Sequence, residues 1–226
     1  LQELSRLFSF AHPNAGRRDY ADAIIAENCL GKPTASTRRL TSQRMGELYG
    51  LDPAIPLFLA LRKLWDRDEI GRPLLALLCA LARDPLLLST AGAILDLRSG
   101  EDFRREPMRA CLRGVVGERL NDSILDKVVR NAASTWTQSG HLRGRTLKIR
   151  HLVTPTPAAI AFALYIAHLM GYRGSELFCS KWISLLDCMP ERCRNLALEA
   201  KRLGYLDMRM AGDVVEIHFH RLVSAG

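Results

Sequence analysis

The stretch from Asn121 to Ser139 fits a helix with one apolar face and one face rich in hydrogen-bond donors. At about 100° per residue, Leu125, Val129 and Trp136 fall on the same side, as a buried face requires. The opposite side has no carboxylate, and its side chains can donate to phosphates or base edges: Ser123, Lys127, Arg130, Asn131, Ser134 and Gln138. This pattern predicts a helix that lies in the major groove of duplex DNA. The alternative is an ordinary solvated polar face.

Basic residues follow this helix in a short segment that favours a β-hairpin. Residues 142–153 hold β-prone stretches around Gly144. The basic side chains there are Arg143, Arg145, Lys148 and Arg150. Cations on such a hairpin could contact an adjacent groove or the phosphate backbone. We therefore expect the helix and the hairpin to bind DNA together.

A second candidate helix, at 191–203, has a mixed outer face. Its candidate DNA contacts are Arg194, Asn195, Lys201 and Arg202. Glu191 and Glu199 would repel phosphates, and Leu198 is an apolar residue on the outer side. An outward leucine suits a protein contact, so the sequence leaves open whether this helix binds DNA or protein.

A third basic cluster lies at the start of another predicted helix. Its members are Ser36, Thr37, Arg38, Arg39 and Arg44. The free N–H groups and the dipole of a helix N-terminus favour anions. The alternative is that Thr34 or Ser36 only caps the helix. A phosphate-binding P-loop is excluded, because Pro33 follows Lys32 where that motif requires Ser or Thr.

We expect no catalytic activity, no cofactor and no metal. The sequence has no nucleophile elbow, no zinc-protease motif and no dinucleotide-binding fingerprint. Cys179, Cys188 and Cys193 with His218 and His220 match no standard zinc spacing. The six cysteines include no Cys-x-x-Cys pair, which favours reduced thiols in a cytoplasmic protein.

The composition is that of a folded protein with excess positive charge. The 226 residues are 48% hydrophobic and 25% charged, and 32 Lys and Arg against 24 Asp and Glu give a net charge of +8. These values exclude disorder as the main state and favour a polyanionic partner. Aromatic residues are scarce at 7%, so bases have few platforms for stacking, and we expect duplex DNA rather than structured RNA.

We expect no membrane association. The most apolar stretch, from Pro73 to Leu95, is interrupted by Arg83 and Asp84, both of which are costly at a bilayer centre. Buried core helices explain this stretch better than a membrane span. No secretion signal is visible near the start of the chain.

The order of elements predicts a mainly α-helical fold, in which a helical bundle is followed by two winged-helix-like modules with short β-hairpins. The bundle is expected at 18–105, the first module at 106–171 and the second at 172–226. Bundle helices are predicted at 19–30 and 34–50, and after Pro53, Pro73 and Pro85.

Each module repeats the order helix, turn, helix, glycine and hairpin. The predicted helices of the modules are 107–117, 121–139, 175–187 and 191–203, and the last hairpin pairs 205–210 with 214–221. A buried connecting helix is predicted at 157–171.

Two sequence stretches resemble the BrxA proteins of BREX phage-defence systems. The first runs from Asn28 through the Thr34–Arg39 cluster to Leu48, and the second from Leu120 to Leu125 opens a helix that ends in a glycine. The resemblance covers about residues 19–171. It implies a small, mostly helical, DNA-binding accessory protein without catalytic activity. The positions to which it points are Ser36, Thr37, Arg38, Arg39, Lys127, Arg130 and Asn131.

The sequence as a whole predicts a non-enzymatic, cytoplasmic protein that binds double-stranded DNA. The resemblance to BrxA proteins implies that it is an accessory factor in antiviral defence. Other defence-system proteins are possible partners. Two alternatives remain open at this point, an assembly subunit of a defence or regulatory complex and a winged-helix transcriptional regulator.

Overall fold

The prediction of a mainly helical fold is confirmed. A computed structural model describes residues 1–212 and 214–224 as helices with two two-stranded antiparallel sheets. The helices of the first half are α1 (Gln2–Phe10), α2 (Arg17–Ile25), α3 (Ala35–Tyr49), α4 (Pro56–Arg67), α5 (Arg72–Arg83), α6 (Pro85–Leu88) and α7 (Gly92–Leu95).

The helical bundle includes α1, which the predicted start at residue 18 leaves out. Leu4, Leu7 and Phe8 are buried in the common core. The ring of Phe8 packs edge-on against Trp65, with 5.2 Å between centroids, and against Phe58 at 5.9 Å. Aromatic pairs in this geometry stabilise a core beyond the area that they bury.

Two helices of the bundle have bounds that differ from the prediction, and local turns lie at both positions. α4 begins at Pro56 and not after Pro53, because Asp52 Oδ1 accepts from the backbone N–H of Ala54 (2.9 Å) and closes a turn first. α2 ends at Ile25, short of the predicted residue 30, and Asn28 then adopts a φ of +52°. Pro73 and Pro85 lie in the first turns of α5 and α6, as predicted.

The middle of the chain follows the predicted order closely. Its elements are α8 (Arg105–Val116), α9 (Asp122–Gln138), β1 (Leu142–Arg143), β2 (Ile149–Arg150) and α10 (Pro157–Leu169). Asn121 caps α9, since its Oδ1 accepts from the N–H of Ile124 at 2.9 Å. The segment from Gly100 to Phe103 forms backbone hydrogen bonds along β2.

The last part of the chain differs from its prediction in two elements: one predicted helix is broken, and the strand predicted at 214–221 ends at His218 and is followed by a short helix from His220. It contains a 3₁₀ helix (Gly174–Cys179), α11 (Lys181–Ser184), α12 (Pro190–Arg202), β3 (Asp207–Ala211), β4 (Val214–His218) and α13 (His220–Val223). The single helix predicted at 175–187 is therefore wrong. Ser180 breaks it, because its backbone is extended and its buried hydroxyl donates to the Leu177 carbonyl at 2.8 Å.

The second hairpin agrees with the predicted alternation. Val215 and Ile217 are buried, while Val214, Glu216 and His218 face outward. Strands β3 and β4 pair from Asp207 with His218 to Ala211 with Val214, and Asp213 in the predicted turn lies outside the described residues.

The predicted connecting helix, α10, is buried along most of its length. All residues from Ala158 to Ala167 are in the core, and α10 packs against α4, α5 and α12. Thr156 caps it by accepting from the N–H of Ala159 at 3.2 Å, and the same hydroxyl donates to the Asp68 carboxylate. Helices α4 and α5 of the first half and α12 of the last part of the chain therefore share one core through this helix.

Arg150, predicted to contact DNA, is buried, so that assignment is wrong. Only 2% of Arg150 is exposed, and its guanidinium forms an ion pair with Asp187 and donates to the carbonyl of His151. The second Asp187 oxygen accepts from the N–H of Val153 at 2.9 Å. The inward side of the hairpin carries Leu142 opposite Arg150, and this side faces the core.

A buried histidine forms a second link beside this ion pair. His141 Nε2 donates to the Leu185 carbonyl at 2.8 Å, which leaves Nδ1 to accept from the Ser139 hydroxyl at 2.8 Å. The ring packs edge-on against Trp136 with 5.0 Å between centroids. Burial lowers the pKa of His141 to about 4, because the imidazolium form loses hydration there.

We predict that Asp187→Asn lowers the free energy of unfolding by about 3–5 kcal/mol, because it leaves the Arg150 charge buried and uncompensated. The double variant Arg150→Met/Asp187→Asn should recover part of this loss. Urea unfolding measures both effects. Arg145→Met, at an exposed position of the same hairpin, is the control and should change stability by less than about 0.5 kcal/mol. A loss as small for Asp187→Asn as for the control would contradict this role of the ion pair.

Acid should destabilise the protein through His141. Its pKa is about 4 in the folded state, below the ordinary value of 6.5, so the unfolded chain takes up the proton first. The contribution of His141 to the free energy of unfolding is fully present above pH 6.5. It decreases by up to about 3 kcal/mol as the pH falls towards 4.

Unfolding of the wild type and of His141→Gln across this pH range measures the effect. The variant should be less stable at neutral pH but depend less on pH. Replacement of the exposed His12 by Gln is the control. An equal pH dependence in wild type and His141→Gln would contradict the assignment.

Candidate nucleic-acid interface

The predicted polar face of α9 lies fully at the surface. Leu125, Val129 and Trp136 are buried on its other side. The exposed side chains are Ser123, Lys127, Arg130, Asn131, Ser134 and Gln138. The helix thus presents two cations and several amide and hydroxyl groups to solvent.

The carboxylates of α9 lie off this face and are paired with α8. Arg109 Nη2 donates to Asp122 at 2.7 Å, and Arg113 Nη2 donates to the same oxygen at 2.5 Å. Arg109 also pairs with Asp126. Each exposed pair contributes little stability alone, but the network neutralises both acids and fixes α8 against α9.

Sequence reasoning missed Arg109 and Arg113, although the signal was present. Arg109 and Arg113 are four residues apart, as are Asp122 and Asp126, and this spacing places each pair on one face of its helix. Arg105 was also missed. It lines a cleft of about 200 Å³ together with Arg130, but Glu106 and Asp126 line the same cleft, so the charge there is mixed.

The β1–β2 hairpin is attached to the end of α9. Lys148 Nζ donates to the Thr137 hydroxyl at 3.0 Å and to the Gly144 carbonyl at 3.1 Å. Arg143 and Arg145 remain exposed on the hairpin. Lys148, predicted to contact DNA, is half-buried and holds the tip of the hairpin against α9.

The cluster at the start of α3 is part cap and part exposed surface. Thr34 caps the helix, because its hydroxyl oxygen accepts from the N–H of Thr37 at 3.1 Å. For Thr34, this agrees with the alternative in which the hydroxyl only caps the helix. Ser36, Arg39 and Arg44 are exposed. Arg38 is half-buried, and its Nη1 donates to the carbonyl of Ala26 at 3.4 Å.

A groove between α3 and α9 brings two of the predicted clusters together. Both helices pack on α5. A cleft of about 560 Å³ is lined by Thr37, Arg44, Thr135 and Gln138, among others. The neighbouring cleft of about 490 Å³ shares Arg44 and Thr135 and adds Asn131. Residues almost a hundred positions apart therefore border one surface.

The third cluster, on α12, belongs to a different part of the core. α12 packs against α10 and β3, whereas α9 packs against α8 and α5. The guanidinium of Arg194 is half-buried and lies over the Phe178 ring, 5.7 Å from its centroid. Asn195, Lys201 and Arg202 are exposed, as are Glu191, Glu199 and Leu198. This face is mixed in charge, as the sequence indicated.

The cysteines are mostly interior. Cys79, Cys188 and Cys193 are buried, whereas Cys179 is exposed. Burial raises the pKa of Cys79 to about 12 and also raises the pKa of Cys193, which keeps both as unreactive thiols at neutral pH. Among residues 1–212 and 214–224, no group of three His, Cys, Asp or Glu side chains is arranged to hold a metal ion.

Within the described part of the chain, no single helix is long and apolar enough to cross a membrane. The helix pair Arg72–Arg83 and Pro85–Leu95, bent by 110°, has the length and composition of a broken span.

Comparison of the sequence with family models and with curated proteins, and of the structure with solved structures, found no match.

Proposed function

We propose that this protein binds double-stranded DNA, without catalysis, through the outer face of α9 and the β1–β2 hairpin. One observation carries the proposal: the outer face of α9 has no carboxylate of its own, and the two acids beside it, Asp122 and Asp126, are paired with arginines of α8. Lys127 and Arg130 can then attract an approaching phosphate, because the Asp126 carboxylate beside Arg130 is already paired with Arg109. The amide of Asn131 can read a base edge.

The hairpin supports the same proposal. The Lys148 contacts with Thr137 and Gly144 keep it beside the end of α9. With α9 in the major groove, Arg143 and Arg145 reach the neighbouring backbone or minor groove, in the manner of a wing. Arg44 and Thr37 across the α3–α9 groove provide further phosphate contacts.

The triple variant Lys127→Ala/Arg130→Ala/Arg145→Ala tests this interface. We expect micromolar or tighter binding of a labelled duplex of about 30 bp by the wild type, with a salt slope that flattens by about 0.9 for each lost phosphate contact in the variant. Fluorescence anisotropy at several salt concentrations measures the slope.

The control variant Arg6→Ala/Arg18→Ala/Arg67→Ala removes the same charge from exposed positions on α1, α2 and α4. It should keep the wild-type slope. Equal slopes for the two triple variants would show that binding follows net charge alone and would contradict an interface on α9.

We further propose a role as a cytoplasmic accessory factor in phage defence, which rests on the resemblance of residues 19–171 to BrxA proteins. The second candidate function is assembly with other defence proteins through α12. Leu198 favours it, because this leucine is 39% exposed on a face that also carries Glu191 and Glu199.

Phage plating on cells that depend on this protein for defence separates the two functions. A DNA-binding role predicts that the triple alanine variant at Lys127, Arg130 and Arg145 loses protection, whereas Leu198→Glu keeps it. An assembly role predicts the reverse. Protection by both variants would contradict both proposals.

A further inference from the structure

The outward side of the β1–β2 hairpin carries exposed apolar residues between arginines. Leu147 is 82% exposed and Ile149 is 42% exposed. Ile149 pairs with Arg143 across the hairpin, so these two side chains share the outward side, and Arg145 lies at the tip. The inward side is already used by Leu142 and the buried Arg150. A hairpin that only faces water has no need of a large apolar side chain at its tip.

The backbone at the tip of the β1–β2 hairpin is tightly packed against itself. Gly144 has a φ of +110°, and a Cβ atom there would lie 1.9 Å from the carbonyl oxygen of Leu147. Only glycine allows this approach. Lys148 donates to the Gly144 carbonyl and to Thr137 on α9. Leu147 is thus presented from a turn that is fixed to the proposed recognition helix.

We propose that Leu147 is an apolar wedge that enters the minor groove beside the site bound by α9, and that the favoured ligand is a duplex with an easily opened base step. This inference rests on the proposed DNA-binding function. Apolar side chains inserted between base pairs unstack the step and kink the duplex, and arginines are attracted to the minor groove around it. Leu147 with Arg143 and Arg145 provides both groups on one hairpin.

Bending of DNA tests the wedge directly. One 30-bp duplex, about three helical turns long, carries a donor and an acceptor dye at its ends, and a second duplex has the same sequence with a two-nucleotide bulge at its centre. We expect the wild type to raise energy transfer on the intact duplex. It should bind the bulged duplex about tenfold more tightly, because the bulge has already lost the stacking that the wedge must break.

Leu147→Ala should lose both the rise in energy transfer and the preference for the bulge, while it keeps the wild-type salt slope. Leu147→Phe should retain both effects. Ile70→Ala removes another highly exposed apolar side chain, 83% exposed between α4 and α5, and should behave as wild type.

Three other results would contradict the wedge. Two of them leave the DNA-binding proposal intact, and the third contradicts that proposal as well. If Leu147→Ala still bends DNA and prefers the bulge, the wedge is wrong and the DNA-binding function stands. The same holds if the wild type binds the intact duplex tightly but neither bends it nor prefers the bulge. If the wild type binds neither duplex at low salt, both proposals fail, and the apolar tip would then suit a protein or lipid surface.

Discussion

The arrangement of the whole molecule depends on the burial of α10. Its side chains from Ala158 to Ala167 are excluded from water on every side of the helix. Alanines let neighbouring helices approach closely, while each large side chain such as Phe162 contributes about 1.5–3 kcal/mol through burial. A helix that is apolar all round can be stable only when other elements surround it. The requirement to cover α10 therefore fixes α4, α5 and α12 around it.

The candidate interface follows from that constraint through α5. One part of α5 packs on α10, and α5 also supports α3 and α9, which leaves a groove between them. The polar face of α9 points away from this core. The ion pair between Arg150 and Asp187 and the bonds of His141 anchor the base of the hairpin, so that Arg143, Arg145 and Leu147 extend beyond it. Buried polar links thus position an exposed cationic surface.

Local signals predicted much of this from sequence. α9 and α10 lie within about two residues of their predicted bounds, because Asn121 and glycine or proline residues mark their ends and their burial patterns are strong. The prediction of one helix at 175–187 was wrong because the Ser180 hydroxyl donates a hydrogen bond to the Leu177 carbonyl and the chain is extended at Ser180. Phe8 was placed outside the bundle because its aromatic partners, Phe58 and Trp65, are about fifty residues away in the chain.

The candidate site was predicted in part. The exposed face of α9 follows from helical periodicity, and its residues are exposed even at Gln138, whose amide oxygen accepts from the Leu1 ammonium at 2.9 Å. Arg150 could not be recognised as buried, because its partner Asp187 lies in a segment whose structure the sequence did not predict correctly. Lys148 was assigned to DNA because nothing in the local sequence reveals its bond to Thr137. Errors of this kind arise where a polar residue finds its partner in another element.

Hydrogen–deuterium exchange with and without a short duplex tests the central claim most directly, because it locates the contact without any substitution. The account predicts slower exchange in α9, in the β1–β2 hairpin and at the start of α3, with little change in α12 and the β3–β4 hairpin. Protection confined to α12 and the β3–β4 hairpin, or no protection under conditions in which the duplex is bound, would contradict it.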